Sequence, residues 1–185
     1  ATVTQSMDYS VVVTDTFGLC FDTSEVTIDI AEVDAGPDTT ICPNDSILLN
    51  STSNASCNQG TTHFLWTSPN ASAYINDSSS TQPIVSVDTT TMFYVQLSDS
   101  CGCVLTDSMT VHVNPIEELQ FSEIDPDCGN NNGEYNLNVV GGFAPYVYSI
   151  DSGLTYSLNS NFNGLGMGYY DLIAKDSIGC SSELT

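Results

Sequence analysis

Apolar and polar residues alternate along most of this chain in short runs. Val11 and Val13, then Val26, Ile28 and Ile30, recur at every second position, the spacing of strands with one buried face. No stretch keeps a helical period over three turns. The runs are separated by Asn, Asp, Gly and Ser, so the pattern predicts an all-β protein of short strands joined by tight turns.

One arrangement occurs three times. "DTFGLC" from Asp15, "DSCGC" from Asp99 and "DSIGC" from Asp176 each follow a strand containing tyrosine, and each ends on a cysteine that opens the next strand. The spacing from Cys20 to Ile30 equals that from Cys103 to Val113, and both close on alternating strands, "EVTIDI" and "SMTVHV". Each is read as a closing hairpin. The hairpins divide the chain into residues 1–33, the C-terminal part of one unit, residues 34–115, a complete unit, and residues 116–185, a further unit expected to lack its last strand. Six or seven strands in a unit of this size predict tandem immunoglobulin-like β-sandwiches. On this reading the chain is a window onto a longer array, and the first unit is completed by upstream chain or by a neighbouring subunit.

Composition narrows the partners. The chain has 23 acidic residues and one cation, Lys175, for a formal charge of −22, which excludes a nucleic-acid backbone or an anionic membrane as a partner. No run of 18 apolar residues is present, so direct membrane insertion is not expected. A hydrophobic content of 41% is enough to build cores and argues against disorder. Seven cysteines with no CxxC pair point to an oxidising, extracellular setting and structural disulfides. Cys101 and Cys103 alone make a poor zinc site.

The stretches "DAGPDTTICPNDSILLN", "FLWTSP" and "IVSVDTTTMFYVQLSDSCGCVLTDSMTVHV" resemble the PKD-like immunoglobulin-fold repeats of large surface proteins of Bacteroidota. "VVGGFAPYVYSIDSG" with "FNGLGMGYYDLIAKDSIGC" resembles the SprB-type repeat of gliding-motility adhesins from the same phylum. The resemblance implies that a cysteine early in a domain bridges to the one in its closing hairpin. That would pair Cys128 with Cys180 and leave Cys20 with a partner outside the chain. In the middle unit Cys42, Cys57, Cys101 and Cys103 allow three pairings, of which Cys42 with Cys103 and Cys57 with Cys101 is preferred, although sequence does not choose among them. Trp66 is expected to pack against a disulfide in the core, as in other immunoglobulin-like domains.

No catalytic constellation can be assembled. His63 and His112, the only histidines, lie in or beside strands without a nucleophile motif, and no enzyme activity is expected. Asp125, Asp127 and Asn130 in "DPDCGNNNGEY" form the one weak calcium candidate, whose simpler reading is a polar turn. No other cofactor is implied. Asp followed by Ser or Thr occurs ten times, mostly explicable as turn capping. By resemblance to Bacteroidota O-glycosylation at such pairs, Thr39, Ser46, Thr89, Ser108 and Ser177 are candidate glycan sites. Five Asn-x-Ser/Thr sequons, beginning at Asn44, Asn50, Asn54, Asn70 and Asn76, carry less weight in so Asn-rich a chain.

Together these readings predict a structural or adhesive segment of a large extracellular, cell-surface repeat protein or filament. Its partners would be neighbouring domains, copies of itself in a fibre, or surface glycans. The rival is a spacer or carbohydrate-binding module of a secreted, type IX-exported hydrolase. Short links containing proline favour a stiff string of domains.

Overall fold

The computed structural model describes residues 7–17, 21–28, 30–55, 61–100 and 102–184. Among them every regular element is a strand, and no helix is long and apolar enough to cross a membrane. The first two strands, β1 (Met7–Thr14) and β2 (Phe21–Ile28), form an isolated antiparallel ribbon with Thr14 opposite Phe21.

The next group of strands encloses one apolar core. It comprises β3 (Val33–Asp34), β4 (Thr39–Ile41), β5 (Ser46–Leu48), β6 (Thr52–Ser53), β7 (Thr62–Thr67), β8 (Tyr74–Ile75), β9 (Ile84–Ser86), β10 (Thr91–Asp99) and β11 (Val104–Val113). One sheet runs β4-β11-β10-β7 and the facing sheet β5-β9-β8, with β3 and β6 paired at the side. Alternation along β10 decides what lies inside: Phe93, Val95 and Leu97 are buried, whereas Met92, Tyr94 and Gln96 face outward. Val85, Leu49, Met109 and Val111 meet them from the other strands.

Trp66 is only 1% exposed, and its indole N–H donates to the Ser80 carbonyl at 3.1 Å, so the largest side chain of this core leaves no polar atom stranded. Among the described residues its cluster consists of apolar side chains and holds no cysteine, while the expected pairing of Cys57 with Cys101 lies outside the described residues.

The last group comprises β12 (Ile116–Ile124), β13 (Gly133–Gly141), β14 (Val147–Ser149), β15 (Asn161–Leu165), β16 (Leu172–Lys175) and β17 (Ser181–Leu184). Sheet β12-β13-β15 faces sheet β14-β16-β17 across Leu119, Leu137, Tyr148, Leu172 and Ala174. The last strand, which the sequence reading leaves out, is present as the four residues of β17 paired to β16, with Lys175 opposite Ser181.

Two of the hairpins share one chemistry at their turns. In β10–β11 the Asp99 carboxylate accepts from the Cys103 N–H at 2.8 Å, and in β16–β17 the Asp176 carboxylate accepts from the Cys180 N–H at 2.9 Å. Gly102 and Gly179 sit at φ 91° and 99°, a left-handed turn position that favours glycine. The hairpins differ in cover. Val95 and Leu97 are fully buried, while Val11 and Val13, at the matching positions before Asp15, are 60% and 64% exposed.

Candidate functional site at the junction of the two sandwiches

The most informative local structure lies where the two cores meet. Cys42 follows β4 directly, and a tight turn carries the chain on, with the Asp45 N–H donating to the Cys42 carbonyl and Asn44 at φ 64°. Cys180 closes the β16–β17 turn. Their sulfurs are bonded, with the Cα atoms 5.2 Å apart and a separation of 138 positions in sequence.

This bond corrects two expected pairings, Cys42 with Cys103 and Cys128 with Cys180. Strand register supplies the reason. β4 runs parallel to β11 with Ile41 opposite Val113, so Cys42 stands at the far end of β11 from Cys103, which precedes Val104. At a rise of about 3.3 Å per residue the two ends are about 30 Å apart, far beyond disulfide reach. The same logic separates Cys128 from Cys180. Cys128 lies in the turn beyond Ile124 and Glu134, whereas the turn bearing Cys180 docks near Gly141 at the opposite end of that strand pair. Cys103 and Cys128 are both exposed free thiols. Cys20, Cys57 and Cys101 lie outside the described residues, and with them the expected Cys57–Cys101 pairing and the external partner of Cys20.

Hydrogen bonds extend the clamp. The Asp176 side chain is buried and accepts from the N–H groups of Phe143, Ile178 and Cys180 at 3.1, 3.0 and 2.9 Å. The Ser177 N–H returns a bond to the Phe143 carbonyl. Next to Phe143, the Gly142 N–H donates to the Pro115 carbonyl at 2.9 Å, so the Cys180 turn is coupled to the link between the sandwiches. Gly141 has to be glycine: its φ is 81°, and a Cβ there would lie 2.7 Å from the Pro115 oxygen. The Tyr146 hydroxyl donates to the Gly141 carbonyl at 2.8 Å and holds the loop from the other side. A cavity of about 370 Å³ lined by Pro43, Asp45, Ile116 and both bonded cysteines marks the junction.

The other expected sites fall apart from this one. Asp127 and Asn132 bond each other reciprocally at 2.9 Å, and the Asn130 N–H donates to the Asp127 carbonyl, so the weak calcium candidate is folded as a self-contained polar turn beside Asp125. Among the described residues, no three His, Cys, Asp or Glu side chains converge in a way that could hold a metal ion. His63 and His112 are exposed on their strands. Of the candidate glycan positions, Ser46, Thr89, Ser108 and Ser177 are exposed and Thr39 is half-buried in β4. Several of the preceding aspartates cap backbone: Asp38 accepts from the Thr110 N–H and Asp107 from the Ala35 N–H.

One carboxylate outside the junction gives a pH prediction. Asp151 accepts from the Thr155 hydroxyl and N–H and from the Ser149 hydroxyl, which together hold its pKa down to about 2 from 3.8. Because the folded value is the lower, the charged form contributes stability above about pH 4 that is lost as pH falls towards 2. Asp151→Asn is expected to flatten the fall of Tm between pH 4 and pH 2 in a thermal melting series. An unchanged slope would remove Asp151 from the acid response.

No family model matches the chain, and no curated protein matches it significantly. Among solved structures, the N-terminal eight immunoglobulin domains of Down Syndrome Cell Adhesion Molecule align over 97% of this chain at 11% identity and a TM-score of 0.50. This chain spans 30% of that one. The PKD domain of KIAA 1837 protein aligns at 23% identity over 44% of this chain and 84% of its own, with a TM-score of 0.37. Three domains of the bacteriophage RB49 outer capsid protein Hoc align over 96% of this chain and 75% of theirs, at 13% identity and a TM-score of 0.44. Likeness at these identities concerns fold alone. Sheet pairings, two separate cores and the likeness to the eight-domain immunoglobulin structure agree on one architecture: the chain is an all-β array of immunoglobulin-like β-sandwich domains.

Proposed function

We propose that this chain is a tension-carrying structural and adhesive segment of a large extracellular repeat protein or filament. The observation that carries the reading is the Cys42–Cys180 bond. A force applied to the chain on either side of the pair enters at one cysteine, crosses the disulfide and leaves at the other. Most of both apolar cores lies inside the bypassed loop, with only Val33, Ala35, Ile41 and Leu184 outside it, so tension does not extend the bulk of either. A disulfide confined to one sandwich would protect only that sandwich.

The repeated hairpin supports an array of such units. Tyr9, Val11, Val13 and Val26 occupy the places that Phe93, Val95, Leu97 and Met109 fill in the buried hairpin, so β1–β2 asks for the same cover, which a neighbouring immunoglobulin-like unit supplies. A surface-protein setting in Bacteroidota, with the second sandwich as a SprB-type repeat, rests on the sequence resemblance. Glycans at Ser46, Thr89, Ser108 and Ser177 would add to the acidic surface in opposing edge-to-edge association of strands. Among the described residues, no arrangement of acid, base and nucleophile supports an enzyme. Electron microscopy of the native material should show beaded threads, and intact-mass spectra should show hexose-containing adducts. Isolated compact particles would contradict the array.

A further inference from the structure

The strongest feature outside the junction is a cleft on the second sandwich. Phe121, Tyr135 and Tyr170 form a row of rings with centroids 5.9 and 5.7 Å apart, the second pair edge to face. Beside this row opens a cleft of about 370 Å³ walled by Tyr135, Tyr170 and Met167, with Glu123, Asp125 and Glu134 also lining it. Strand register places Glu123 directly opposite Tyr135.

The lining side chains offer acceptors and ring faces but no free donor. The Tyr135 hydroxyl is bonded to Glu123, and the Tyr170 hydroxyl donates to the Gly166 carbonyl at 3.0 Å. A neutral sugar wants donors as well as acceptors from its site, whereas an ammonium or guanidinium group brings only donors and a positive charge. A metal ion fits less well, since no three acidic, His or Cys groups converge among the described residues. Around the cleft Tyr169 is fully exposed, with Met167, Ile124 and Phe121 also open to solvent, an apolar rim continuous with the acidic walls.

We infer that this cleft is an interaction surface for a lysine or arginine side chain flanked by apolar residues, presented by a basic segment of a different protein. A second copy of this chain does not supply the group. It has a single Lys or Arg, Lys175, which already stacks on its own Tyr156 ring at 4.7 Å. The inference deepens the adhesive reading by naming the chemistry of a partner, and it can fail separately, because the junction disulfide plays no part in it.

The test uses the full chain, isotope-labelled, titrated with a short capped peptide of alternating lysine and leucine and followed by amide NMR. Shifts are expected to concentrate at residues 123–125, 133–135 and 165–170. The joint variant Glu123→Gln and Asp125→Asn should bind about tenfold more weakly. Removing the same charge elsewhere, by Asp22→Asn and Glu25→Gln on β2, should leave binding unchanged, and acetylating the peptide lysines should abolish it. Binding that falls equally in both variant pairs would show general charge attraction and overturn the site. Localised binding of a neutral glucose oligomer in place of the lysine peptide would overturn it as well.

Discussion

Replacing Cys42 and Cys180 together by alanine is expected to lower the unfolding free energy by about 3 to 5 kcal/mol, the range for a disulfide closing a loop this long. The size follows from connectivity. With the bond in place, either sandwich that unfolds alone remains tethered at both ends, at the disulfide and at the link around Pro115, so its disordered chain gains less entropy. Without the bond each sandwich is held at one end only. Denaturant titration followed by far-UV circular dichroism should show the transitions at lower midpoints in the double variant. The wild type under reducing conditions should behave like the variant, and coincident curves for all three would show that the bond contributes no stability.

The second large effect lies inside the first core. Trp66→Ala is expected to cost about 3 to 5 kcal/mol, as large-to-small changes of buried aromatic residues do. Trp66 pairs with Val95 across β7 and β10, and it packs among Phe93, Val85 and Leu49. Its loss opens a cavity between the two sheets and frees the Ser80 carbonyl. The consequence is confined by topology: residues 116–184 have their own core, and their transition should stay in place. Movement of both transitions together would mean that the two cores fold as one.

Much of this fold could be read from the sequence because strands write their buried face at every second position. Phe93, Val95 and Leu97 alternate with polar or exposed residues, and the Asp-to-Cys turn repeats with the same spacing, so the hairpins were legible before any coordinates. The disulfide was not. Its partner depends on which end of a ten-residue strand a cysteine occupies, and that depends on β4 running parallel to β11. Cys42, Cys103 and Cys180 look equivalent in sequence, each beside a turn, and only register separates them. The acidic, aromatic cleft is also hidden in the sequence, because Glu123 and Tyr135 are brought opposite each other by pairing across a stretch that reads as a polar turn or a weak calcium candidate. In sequence Asp176 is one of ten similar pairs, and its three backbone hydrogen bonds set it apart only in three dimensions.

The central claim is mechanical, and force spectroscopy addresses it directly. Stretching the oxidised chain between its ends should release only the residues outside the Cys42–Cys180 loop, the short strands β3, β4 and β17 among them, while the strands inside the loop stay folded. In reducing buffer the same experiment should add steps totalling about 480 Å, the extended length of a chain stretch whose ends are 138 positions apart. If the oxidised chain shows those long steps too, tension passes through the cores and the load-bypass account is wrong.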